Sequence, residues 1–285
     1  MLRSMFSGVT GLRSHQTMMD VIGNDIANVN TVGFKSSNVV FEDLLSQVLK
    51  GASSPANGGA GGTNPAQVGL GVKVGAITTN FNQGASQSTG RATDVAIQGD
   101  GFFRVVADAT TLGAAGASYM YTRAGNFTTD ANGDLVTNDG DYVVGFKFNN
   151  LGQPLTGAAN ETKITIPAGS QSVTIAQNGT VSVTDSAGAV TKVAVISLAT
   201  FPNNAGLVRV GGNNWTASNN SGTETANIAG TNGLGTLTPG AVEMSNVNLA
   251  QEFTNMITAE RGFQANSRVI STADEMLQEL VNLKH

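Results

Sequence analysis

The stretch "NDIANVNTVGFKSS", Asn24–Ser37, decides how this chain is read. It comes after a segment with helical periodicity and places three asparagines within seven residues. Asn28 and Asn30 tolerate a left-handed backbone, and their side chains can bond carbonyls freed at a helix end, so the pair reads as a helix stop. Gly33 supplies a position open to positive φ, and Phe34 an apolar anchor just beyond it. No residue with obvious catalytic chemistry accompanies them. The stretch reads as a junction between a helix and a connector leading away from it.

Upstream of it, Leu2, Met5, Val9, Leu12, Met19, Ile22 and Ile26 recur mostly three or four residues apart. This is an a/d-like stripe, which fits a coiled-coil seam or an ordinary amphipathic helix packed on its own domain. Ser4, Gly8 and Gly11 form a ridge of small residues beside the stripe. A close helix–helix approach would explain glycines that otherwise weaken the helix. The far end of the chain repeats the pattern with Leu249, Phe253, Met256, Phe263, Ile270, Leu277 and Leu280. Ser245 or Asn246 is expected to cap that second helix, with Glu252 in an early turn. A lone helical hairpin buries one side of each helix only, so both termini should gain order by packing against further copies.

Between the ends the pattern changes. Lys50 to Gln67 is a Gly/Ala/Ser/Pro/Asn segment that reads as a flexible loop or an extended arm. From Val68 to about Thr236 short apolar and β-branched runs alternate with Asx-Gly turns, at Asp100-Gly101, Asn132-Gly133, Asp139-Gly140, Asn178-Gly179 and Asn232-Gly233. The expected fold is α+β: paired N- and C-terminal coiled-coil helices plus a central all-β domain of short strands. We divide the chain into a helical domain of 1–35 with 245–285, a connector of 36–75 with 236–244, and a β domain of 76–235.

Composition narrows the function. Charged residues make up 12 % of the 285, about half of the roughly 25 % usual in soluble domains. The net charge of −5 comes without a basic run, which argues against nucleic acid as a partner. There is no cysteine, hence no disulfide or thiolate metal site. No apolar run approaches the roughly 20 residues of a membrane span, and no cleavable secretory signal opens the chain. Histidine occurs only at His15 and His285, without ligand partners nearby in sequence. "DANGD" at Asp130 to Asp134 departs from a calcium loop at Leu135 and reads as a hairpin turn. We expect no catalytic residue, cofactor or metal site.

Three segments together resemble one family. "NDIANVNTVGFKSS", "DVAIQGDGFFRV" (Asp94–Val105) and the run from Met244 to His285 are similar, in that order, to segments of the bacterial flagellar rod and hook proteins. Within the family, Gly61 to Gly90, "ERGFQANSRVIS" and the ending "LVNLKH" lean toward the hook members, with the distal rod members as the alternative. A surface adhesin or secreted enzyme on a β scaffold fits less well, since it makes the matching terminal stripes accidental. The resemblance implies a subunit of a helical tube that lines its interior with paired terminal helices and acts as a flexible universal joint passing motor torque to the filament. It also implies other copies of itself, the adjoining rod, hook-cap and hook–filament junction proteins, and the flagellar type III export apparatus as partners. Membrane insertion is not implied. The location would be extracellular, in the flagellum, reached without a cleaved signal peptide.

The two stripes then become a self-assembly seam, and Asn28, Asn30, Gly33 and Phe34 the junction leading outward from it. Replacing Leu12 or Phe263 by Asp should block polymerisation in a sedimentation assay and leave the β domain's melting temperature nearly unchanged.

Overall fold

The computed structural model describes residues 2–54, 61–113, 117–149 and 152–283, with the side chains of Leu2 and Ala158 outside that description. The chain forms two compact units. One contains the residues up to Ala27, Ser37–Thr79 and the residues from Asn248 onward; the other contains Asn28–Ser36 and Asn80–Val247. This grouping differs from the three-part division drawn from sequence. Residues 28–35 go with the β-rich unit, and most of the expected 36–75 connector goes with the helices.

The helical unit is built on α1, Leu2–Ala27, and α2, Leu249–Asn282. The two pack antiparallel, and small residues set the contact. Gly8 faces Ile270 and Asn266, Gly11 faces Asn266, and Gly262 faces His15. A Cβ added at Gly11 would fall 2.6 Å from the Asn266 amide nitrogen, so no larger residue fits without moving the partner. Ser14, Ile22, Ala259 and Ala273 are buried in the same unit. The contact therefore runs along the small-residue ridge, beside the apolar stripe. The helix propensity lost at each glycine is offset by closer backbone approach. The cap of α2 is Asn248, whose side chain accepts from the amides of Ala250 at 3.1 Å and Gln251 at 3.4 Å. Neither Ser245 nor Asn246, the caps expected from sequence, fills that role, because Asn246 is bonded elsewhere. Glu252 lies in the first turn, where the helix dipole favours an anion.

The remaining part of this unit is one long hairpin. β1 (Ser37–Asp43), β2 (Ser46–Lys50), β3 (Ala66–Gly69) and β4 (Val72–Thr79) pair as β1 with β4 and β2 with β3, both antiparallel. A further bridge joins Ser53 to Thr63. The Gly/Ser/Pro-rich segment is thus an extended arm, with residues 55–60 outside the description. Its base docks on α1: the Val72 amide donates to Thr10 Oγ1 at 3.3 Å, and the His15 ring meets Phe41 edge-on at 5.6 Å between centroids. Asp25, near the end of α1, is fully buried, and its carboxylate accepts from the Ser37 amide at 2.8 Å.

The second unit is a large antiparallel β structure whose axis is the strand Val190–Thr200. That strand pairs in succession with Thr180–Thr184, Tyr142–Phe146, Phe102–Val106 and Thr225–Ile228. Successive side chains point to opposite faces, so neighbours in sequence serve different cores. Phe103, Val105, Ile196 and Leu198 enter a large cluster with Phe127, Val143 and Leu237, whereas Phe102 and Ala199 join Tyr121, Phe201, Leu207 and Trp215. Hairpins turn at Asn132-Gly133, with Gly133 at φ 82°, and at Asp139-Gly140. In the "DANGD" turn the Asp130 carboxylate accepts from the amides of Asn132 and Asp134, and Asp134 binds Lys163 and Thr165. The expected 236–244 connector is two more strands, Thr236–Pro239 and Ala241–Glu243, inside this unit.

One buried charge stabilises the second core. Arg104, 1 % exposed, contacts the carboxylates of Glu161 at 2.6 Å and Glu224 at 3.2 Å and the Ser197 hydroxyl at 3.2 Å. Tyr119 and Tyr121 donate to the other oxygens of those carboxylates. Burial works against the guanidinium charge, and the bond to Glu161 with the field of Glu224 outweighs it, holding Arg104 above its ordinary pKa. Arg104→Ala strands two carboxylates around one cavity and should cost about 3–5 kcal/mol of unfolding free energy in urea titrations. A loss below about 1 kcal/mol, the level of an exposed pair, would contradict this account.

Candidate functional site

The chain passes between its two units at Ala27/Asn28, Ser36/Ser37, Thr79/Asn80 and Val247/Asn248. Within the β-rich unit, the segments next to these passages are tied to each other. The helix stop is a turn: the Thr31 amide donates to the Asn28 carbonyl at 3.1 Å, and the Thr31 hydroxyl to Asn28 Oδ1 at 3.1 Å. Asn28 is half-buried and Asn30 exposed. Among the described residues only Asn213 and Asn232 combine a side chain with positive φ, so neither junction asparagine uses the left-handed conformation expected of it. The turn closes on Thr31 instead. Gly33 does have positive φ, 71°, and a Cβ there would lie 2.5 Å from the Ala124 amide nitrogen. Conformation and space both demand glycine. Phe34 is buried, with the Arg209 guanidinium 5.0 Å above its ring; Arg209 also lies over Trp215 and donates to the Lys35 carbonyl.

The centre of this region is Glu243. Its Oε1 accepts from Lys35 Nζ at 2.6 Å and from the Gly84 amide at 2.8 Å, and its Oε2 from Arg123 at 3.2 Å. Its backbone carbonyl accepts from the Gly33 amide at 2.8 Å. The side chains of Lys35, Arg123 and Glu243 are 0 %, 3 % and 1 % exposed. Burial pushes both cations below their ordinary pKa, and the Glu243 carboxylate partly restores them. Lys35 Nζ also donates to the Asn82 carbonyl, and Arg123 to the Gly99 carbonyl. Asn246 completes the ring: its Oδ1 accepts from the Ser36 amide, and its Nδ2 donates to the carbonyls of Asn80 and Asn82. Three segments distant in sequence, 33–36, 80–84 and 243–246, are clasped by one ionic and amide network.

The residues of the apolar stripes are placed differently. Ile22 is buried, while Met5, Leu12, Met19, Ile26, Met256, Phe263, Ile270 and Leu277 are half-buried. Val9, Leu249, Phe253 and Leu280 are exposed, at 38 to 51 %. Leu2 lies outside the described side chains. Phe6 (69 % exposed) and Ile257 (58 %) add to the open apolar surface. Lys35, Arg123, Arg209 and Glu243 were not singled out from sequence, and Asn246 only as a helix cap. The one available signal was Lys35 itself, a lone charge directly after Phe34 in a charge-poor chain.

Three family models match the chain: flagella basal body rod protein over residues 5–35, flagellar hook protein FlgE/F/G D1 domain over 96–183, and flagellar basal body rod FlgEFG protein C-terminal over 238–283. The chain is 48 % identical to the flagellar basal-body rod protein FlgG of Bacillus subtilis, across all of both chains. The chain belongs to the flagellar basal-body rod and hook protein family. It is 38 % identical to the rod protein FlgG of Borreliella burgdorferi, over all of this chain and 99 % of that one. The hook protein FlgE of the same organism is 29 % identical over all of both, in an alignment of 451 positions. This rod and hook family is structural, not enzymatic, and its place is the flagellar basal body. Among the described residues no helix is long and apolar enough to cross a membrane. Each matched segment contributes one charge to the clasp: Lys35, Arg123 and Glu243.

Two cations and one anion make up that cluster. Glu243→Gln leaves Lys35 without a counter-charge and Arg123 with only the field of Asp100, and should cost about 3–5 kcal/mol in chemical denaturation. Lys35→Met leaves a neutral Arg123–Glu243 pair and should cost less. The reverse order would contradict the central place given to Glu243.

Proposed function

We propose that the chain is a subunit of the distal flagellar rod, self-assembling into a helical tube. The full-length match to rod proteins of equal length supports this reading more than the lean toward hook members drawn from the sequence. Alignment with the hook protein of Borreliella burgdorferi needs 451 positions against 285 residues here, so extra material separates the two. One observation favours the hook as a second reading: 49 % identity to the hook protein FlgE of Helicobacter mustelae, over 53 % of this chain and 32 % of that one.

The physical role derives from the parts. α1 and α2 pair closely through small residues and leave Phe6, Phe253 and Ile257 open. Such apolar surface on a single chain marks a contact with another, and further copies are the occupants that tube assembly requires. The seam from Leu2 to Ile26 and from Leu249 to Leu280 is assigned to that contact. The β-rich unit presents few charges, and its clasp resists load where the chain enters and leaves it. Neighbouring rod and hook components and the export apparatus are the remaining partners, and the site of action is outside the cytoplasmic membrane.

Expression of the chain in Bacillus subtilis lacking its rod protein FlgG should restore full-length rods in electron micrographs of isolated basal bodies. Expression in a strain lacking the hook protein should restore no hook. Rescue of the second strain and not the first would establish the hook reading instead.

A further inference from the structure

The assembly reading names copies as partners without saying which surfaces meet. On α1, the face that holds α2 carries Gly8, Gly11, His15 and Ile22. About half a turn round the helix, at about 100° per residue, lies a different face, with Arg13 and Thr17. It borders a cleft of about 260 Å³ closed on the other side by Leu44, Val72, Lys73 and Val74 of the hairpin. The cleft has an apolar floor and two basic side chains at its rim. Lys73 pairs with Glu42 at 3.2 Å, both half exposed. Arg13 is exposed and makes no ion pair among the described residues. The rim therefore has a positive charge to spare.

The complementary surface is the last part of α2. Glu275, Met276, Glu279 and Leu283 fall on one side, within about 100° of arc and about a third of a turn from the Ala273 and Leu277 side nearer α1. All four are exposed, Met276 at 49 % and Leu283 at 81 %, and neither glutamate has an ion pair among the described residues. Glu275 and Glu279 stand four apart with like charge, and near a helix C-terminus, where the dipole disfavours anions. No basic residue of the last turn relieves them. In the isolated chain these charges are poorly placed; opposite a cation they would be well placed.

We infer that the Glu275/Met276/Glu279/Leu283 face of one copy docks in the Arg13/Lys73 cleft of a second copy. Met276 and Leu283 meet Leu44, Val72 and Val74, and the glutamates meet Arg13. The apolar and the charged parts of the two surfaces match together, which a purely apolar contact would not require. This inference rests on the reading of the chain as a self-assembling subunit.

Charge reversal tests it on the full-length protein. Arg13→Glu and Glu279→Arg should each raise the critical concentration for tube formation about tenfold, and the double variant should return it near the wild-type value. The chain has no cysteine, so Thr17→Cys and Met276→Cys proteins can be mixed, assembled and oxidised. Covalent dimers should form in tubes and not in dilute monomer. Arg13→Glu assembling at the wild-type concentration, no recovery in the double variant, or no Thr17–Met276 crosslink in tubes would each overturn the docking and leave the assembly reading intact. Failure of the wild-type protein to form tubes would overturn the reading beneath it.

Discussion

Glu243 is the residue on which the arrangement of this chain depends. It ends a short strand of the β-rich unit, and it accepts hydrogen bonds from Gly33, Lys35, Gly84 and Arg123. A carboxylate this deeply buried is costly unless its lone pairs are filled and its charge is matched. Here both conditions are met, by two cations and the Gly84 amide, while the Gly33 amide binds the backbone carbonyl. The consequence is positional. The chain cannot settle the Gly33–Ser36 segment, the Asn80–Gly84 segment or the Glu243–Asn246 segment independently, because each supplies part of one cluster. All three segments are thereby anchored at a single point.

The helical unit solves a different problem with apolar and small residues. Glycines at 8, 11 and 262 cost helix propensity and return close contact with Ile270, Asn266 and His15. That contact uses one face of each helix. The apolar stripes beside it stay partly open, and the hairpin arm carries further exposed apolar side chains, Leu45, Leu49 and Val68 among them. A protein built to remain alone would cover or charge such surface. In the self-assembling subunit proposed above it is left for neighbouring copies, and the low overall charge avoids repulsion between them.

Sequence alone established the element types. Periodicity of three and four marked both helices, because a helix that buries one side must repeat its apolar residues at that spacing. Asx-Gly pairs marked the turns at Gly133, Gly140 and Gly179, because a tight hairpin needs positive φ there. Gly33 and Phe34 were legible for similar local reasons. The tertiary structure alone decided the rest. Lys35 and Glu243 are 208 residues apart and Arg123 and Glu243 are 120 apart, and no local rule pairs residues at such distances. Gly8 and Gly11 were legible as the mark of a close helix–helix approach, and only the fold showed that Ile270 and Asn266 are what they meet. Asn246 resembled a helix cap by position, and only the fold showed its amide bonded to Ser36, Asn80 and Asn82. Local chemistry is written in neighbouring residues, whereas a buried charge cluster exists only once distant segments have been brought together and water removed.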